Sequence, residues 1–147
     1  MFSFFKNFLK KNFIDAAAIE HSSKGNYTKT NRLSGGGHGQ EALDYMDKNG
    51  IEYNITHIYP NGVRIGNVPH HVKVKKRSGE NQSWFPKSWS RETIFQAGRA
   101  VSRGRKFPDG FTKSGVHKKV KVGIIRTGGK IATIFPLSKQ KEGKRKK

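Results

Sequence analysis

Two histidines in one glycine-marked stretch are the residues best suited to chemistry. Residues 19–40 read Ile-Glu-His21-Ser-Ser-Lys-Gly-Asn-Tyr-Thr-Lys-Thr-Asn-Arg-Leu-Ser-Gly-Gly-Gly-His38-Gly-Gln, so His38 sits among Gly35, Gly36, Gly37 and Gly39. An imidazole with an ordinary pKa of about 6.5 can take and give a proton near neutral pH. Glycines let a large ligand approach the main chain, and clustered amides can form an anion-binding concavity. A histidine there stands ready to act beside a phosphate. The bland alternative is a glycine-rich surface loop carrying incidental histidines, and the rest of the chain weighs between the two.

The 147 residues carry 30 Lys+Arg against 10 Asp+Glu, a net charge of +20 and a pI near 10.5. That length fits one domain with a real core. The charge asks for a polyanionic partner, nucleic acid before an anionic membrane or an acidic protein. A merely soluble surface would mix both signs. Hydrophobic residues make up 33 %, so basic loops or tails dilute a modest core. The absence of cysteine excludes disulfides, thiolate zinc sites and a cysteine nucleophile. His70 and His71 follow Pro69 with no acidic or thiol side chain nearby to complete a metal site. His57 reads as packing or surface, His117 as facing solvent or RNA, and Trp89, with Trp84, as core. Neither a metal nor a cofactor is expected.

The elements that must position these residues follow from local pattern. Residues 1–18, with Phe5, Phe8, Leu9 and Phe13 at near-helical spacing and lysines between, predict an amphipathic N-terminal helix and no membrane span. Glu41–Lys48 predicts a short helical turn closed by Asn49-Gly50. Residues 51–59 alternate as a strand, Pro60-Asn61-Gly62 turns, and 63–66 returns as a hairpin. Residues 68–76 predict a further strand, Val72 and Val74 facing in and His71, Lys73 and Lys75 out, followed by a loop over 77–82. Ser90 is a helix N-cap, with Ile94, Ala97 and Val101 on one face beyond it. An irregular segment at 102–114 leads to a strand through Val116, Val120 and Val122–Ile125, and a Thr127-Gly128-Gly129-Lys130 turn returns it antiparallel to Phe135. Residues 138–147 read as a disordered basic tail. The order predicts an α+β fold with antiparallel sheet.

Four landmarks in this order resemble the catalytic domain of the EndoU endoribonucleases in its bacterial polymorphic-toxin form. They are His21, then Gly35-Gly36-Gly37-His38, then Phe85-Pro86-Lys87-Ser88-Trp89-Ser90 before a helix, then Thr133-Ile134-Phe135-Pro136 on the last strand. The resemblance covers residues 19–137 and implies a single EndoU-like domain of two antiparallel sheets with helices packed on them. Two positions depart from it. The family's lysine just before Phe-Pro is absent, Asn81 and Gln82 standing nearest, and Phe135 stands where relatives often carry Tyr.

RNA brings its own nucleophile, the 2′-hydroxyl. Cleavage without a metal needs a base for that hydroxyl, an acid for the leaving 5′-oxygen and a cation for the phosphorane. The resemblance makes His38 the base and His21 the acid, leaving a 2′,3′-cyclic phosphate. Lys76, or else Lys87, would supply the cation. Gly37, Thr133 and Phe135 would bind substrate, Phe135 by stacking on a base. This implies an endoribonuclease toxin acting on RNA such as tRNA in the cytoplasm of a target cell, secreted or delivered by contact. An acidic immunity protein would be its partner. The alternatives left open are a non-catalytic basic nucleic-acid-binding domain and a membrane-active basic protein.

Overall fold

A computed structural model describes residues 13–103 and 107–143, and most of the N-terminal amphipathic segment therefore lies outside the described residues. Helix α1 (Ala16–Ser23) starts at Asp15, whose side chain accepts from the Ala18 amide at 2.9 Å and pairs with Lys130. His21 therefore stands in the last turn of a helix, beyond residue 18 where the sequence expectation of a helix ends. The run of three alanines has high helix propensity, and packing of α1 on the last strand fixes it.

Strands β1 (Asn26–Tyr27) and β2 (Leu33–Gly35) form a short antiparallel ribbon leading to the second histidine. Helix α2 (Gln40–Lys48) buries Ala42, Leu43 and Met46 on one face, a full helix where a turn is expected. The hairpin β3 (Asn54–Ile58) and β4 (Arg64–Asn67) closes through Pro60-Asn61-Gly62 as predicted. Strand β5 (Gln82–Trp84) pairs antiparallel with β4, Arg64 opposite Trp84.

Helix α3 (Arg91–Ser102) has the expected Ser90 cap and buries Ile94, Ala97 and Val101. Strands β6 (Thr112–His117), β7 (Val120–Thr127) and β8 (Lys130–Pro136) make a second three-stranded meander. The fold is thus α+β: among the described residues, two three-stranded antiparallel sheets plus the ribbon, with three helices packed among them. One hydrophobic cluster lies between α3 and β6–β8 and takes in Phe85 and Trp89. A second joins α2 to Leu33, Val68 and Trp84. Both tryptophans are core, as expected.

Two segments differ from the sequence expectation. Residues 68–76 are an irregular turn ending in a 3₁₀ element at Val74–Lys76, with no strand among them. His71 points inward and is fully buried, while Val72 and Val74 face solvent. Pro69 cannot donate to a ladder, and the guanidiniums of Arg32 and Arg77 both donate to the His71 carbonyl, which holds the turn. Residues 112–117, expected to be irregular in their first half, form the edge strand β6, because Lys118 and Lys119 take positive φ (49° and 68°) and close a tight hairpin. Of residues 138–143, Gln140 is buried and bonds both the amide and the carbonyl of Lys121. No helix among the described residues is long and apolar enough to cross a membrane.

Candidate active site

The last carbonyls of an α-helix have no partners within it. Here His21, Ser22 and Ser23 offer theirs to the amides of Gly37 (2.9 Å), His38 (2.6 Å) and Gly39 (3.0 Å) in turn. The glycines are what permit this approach. Gly36 has φ +62°, and a Cβ there would lie 1.9 Å from the His21 carbonyl oxygen. The helix end and the glycine loop thus form one backbone unit carrying both histidines.

His38 is then clamped from β5. Its carbonyl accepts from the Phe85 amide at 2.6 Å, and its Nδ1 lies 2.7 Å from the Ser83 carbonyl oxygen. A carbonyl can only accept, so Nδ1 carries the proton and Nε2 keeps its lone pair. Burial pushes the imidazole down to about 3, and the charge of Lys76 adds to this, so His38 is neutral across the physiological range. His21 is half-buried, with Nδ1 3.2 Å from Asn26 Oδ1. Burial lowers its pKa below 6.5, Lys73 and Lys76 lower it further, and the Asn26 contact opposes them.

Both histidines line one open cavity of about 270 Å³ with Lys76, Thr133 and Phe135. Strand β8 reaches it through two buried serines. Ser22 Oγ accepts from the Ile134 amide at 2.9 Å, and Ser83 Oγ donates to the Pro136 carbonyl at 2.7 Å. The Phe135 ring stands 5.8 Å from that of His38, tilted 41°. Gly123 lies opposite on β7, and a Cβ there would come within 2.7 Å of the Phe135 ring, so the glycine makes its room.

Lys76 comes from the turn before β5, its Nζ 3.1 Å from Gln82 Oε1. Burial lowers the ammonium to about 8, and Lys73 and Lys75 contribute. Lys87 is exposed and does not line the cavity. Phe85 and Trp89 stack at 4.8 Å beneath the turn that carries it, which leaves Lys87 at the solvent-facing apex. Gly37 is buried with its amide engaged by His21, so Gly36 rather than Gly37 lines the cavity. Lys73, Glu80, Asn81 and Ser83 also line it, none of them given a role from the sequence. For Ser83 a signal existed, since it stands two residues before the Phe85-Pro86 landmark.

The arrangement offers a neutral imidazole with a free lone pair, a second imidazole, a cation and an aromatic ring around one cleft. Such a set can move protons to and from a substrate and stabilise a developing anion. Residues 15–138 match the family model described as bacterial EndoU nuclease. No curated protein and no solved structure matches.

Proposed function

The chain belongs to the bacterial EndoU nuclease family, and from that premise we propose that it is a metal-independent endoribonuclease toxin working by paired histidines. The observation that carries the reading is the convergence of His21, His38 and Lys76, from three separate segments, on one cavity with Thr133 and Phe135. In this reading His38 Nε2 takes the proton of the 2′-hydroxyl, whose oxygen attacks the adjacent phosphorus. His21 gives a proton to the departing 5′-oxygen. The bond to that oxygen breaks, leaving a 2′,3′-cyclic phosphate and a 5′-hydroxyl. Lys76 faces the charge that builds on the non-bridging oxygens. Thr133 holds a phosphate oxygen or base edge, and Phe135 stacks on the base.

The net charge of +20 supports a structured RNA such as tRNA as substrate, through phosphate contacts that carry no sequence information. It equally supports a small acidic immunity protein seated over the cavity, drawn by steering that salt weakens. The toxin would act in the cytoplasm of a target cell. Incubating the pure protein with total RNA in EDTA tests the reading: fragments ending in 2′,3′-cyclic phosphate are expected. Binding without cleavage would replace it with a basic nucleic-acid-binding domain.

A further inference from the structure

Gln82 opens β5 with no exposed surface at all. A glutamine removed from water needs partners at both ends of its amide. Nε2 donates to the carbonyls of Gly36 and Gly37, each at 3.2 Å, and Oε1 accepts from Lys76 Nζ at 3.1 Å. Only this orientation is consistent with the neighbours. Turned over, the NH₂ would face an ammonium and the oxygen would face two carbonyls. One buried side chain therefore ties the turn that carries Lys76 to the glycine segment that carries His38.

We propose that Gln82 is a positioning residue of the site, holding the Lys76 ammonium in register with the glycine segment next to His38. The proposal rests on the reading of Lys76 as the cation of an RNA-cleaving site. A lysine ends in a point charge on a flexible four-carbon stem, and without an anchor it samples many positions. The chemistry of the anchor matters as well. A carboxylate would hold the ammonium but also neutralise it and compete with a phosphate. A neutral amide oxygen fixes one N–H and leaves the full charge and two further N–H groups for a ligand. Gln82 Oε1 is the hydrogen-bond acceptor found for Nζ among the described residues.

The test uses the full chain with Gln82→Met and Gln82→Glu. It reads the Lys76 titration by NMR of its side chain, alongside kcat and KM for RNA cleavage and a thermal melt. In Gln82→Met the Lys76 midpoint should fall below that of the wild type, and kcat should drop about 10- to 100-fold with KM changed less, as expected for a misplaced charge. In Gln82→Glu the midpoint should rise by about one unit or more, since an anion now faces the ammonium. An unmoved Lys76 midpoint in both variants, or wild-type kcat in Gln82→Met, overturns the proposal. Should Gln82→Met unfold, the midpoint in Gln82→Glu decides alone. A wild-type protein that leaves RNA intact would defeat the cleavage reading by itself, while the titrations still decide whether Gln82 holds Lys76.

Discussion

Gly37 donates its amide hydrogen to the carbonyl oxygen of His21 at 2.9 Å. The two histidines are thus related through main chain, and neither depends on the rotamer of the other. With the matching bonds from His38 to Ser22 and from Gly39 to Ser23, the glycine loop acts as the cap of α1. The loop cannot shift without uncapping the helix.

Gly36→Ala should therefore be far more damaging than its size suggests. Gly128 provides the control, because it has the same φ of +62° and open space, with nothing within 4 Å of the point where a methyl would stand. Gly128→Ala should lower stability by about 1 kcal/mol, the cost of left-handed backbone in a residue with a side chain. Gly36→Ala adds a collision with the His21 carbonyl and should lower both the melting temperature and the cleavage rate, the latter by about 100-fold or more as the histidines lose register. Equal effects of the two substitutions would show that the contact with His21 is unimportant.

Substitution of His21 or His38 by Ala should remove cleavage while RNA binding survives, since each proton transfer contributes roughly 10²–10⁴-fold. Gel-shift and single-turnover assays on the same preparations separate the two effects. Lys76→Ala should lower kcat by about two decades. Lys87→Ala, on an exposed turn outside the cavity, should change it less than about threefold, in line with ordinary surface substitutions.

The pH dependence of kcat/KM reports the free protein. With His38 as the proposed base, its folded pKa of about 3 leaves it neutral above that value. With His21 as the proposed acid, its pKa below 6.5 means that its proton is lost as pH rises through that lowered value. Lys76 loses its charge near 8. The maximum should fall on the acid side of 6.5, with a second decline around 8. In Lys76→Ala the second decline should vanish while the first remains. A maximum above pH 7.5 would contradict the assignment of His21 as acid.

Stability should also respond to acid. His38 and His71 are buried neutral imidazoles, lowered by burial to about 3 and about 4. Their folded pKa values lie below the ordinary 6.5, so the native state binds fewer protons than the unfolded chain. Their contribution is complete above pH 6.5 and is lost as pH falls towards 4, at up to about 1.4 kcal/mol per pH unit for each histidine. His71→Asn keeps an acceptor for the Lys73 amide, which the Nδ1 of His71 receives at 2.8 Å, but cannot titrate. Urea unfolding at pH 7 and pH 4.5 should show a smaller acid loss in that variant.

What could be read from sequence was local. The Ser90 cap, the hairpin at Pro60-Asn61-Gly62 and the Thr127–Lys130 turn each carry their own signal within a few residues. The fate of His71 and Lys76 did not, because Arg32, distant in sequence, helps to hold their turn, and Leu33 accepts from the Val72 amide. Lys76 lines the cavity and Lys87 does not because of that turn and the Phe85–Trp89 stack, neither written in the spacing of lysines. The β6–β7 hairpin was hidden for a different reason. Its turn uses Lys118 and Lys119 where Asn-Gly is the usual signature.

The three amides that meet the end of α1 also close residues 24–36 into a loop whose two ends are fastened to each other. Its far tip, at Lys29, Thr30 and Asn31, is exposed. Extra residues inserted there would lengthen a circuit that is already shut, and each doubling of a flexible loop costs only about 0.6 kcal/mol. The tip is therefore a place where a reporter or an affinity peptide can be spliced into the chain while His21 and His38 keep their places.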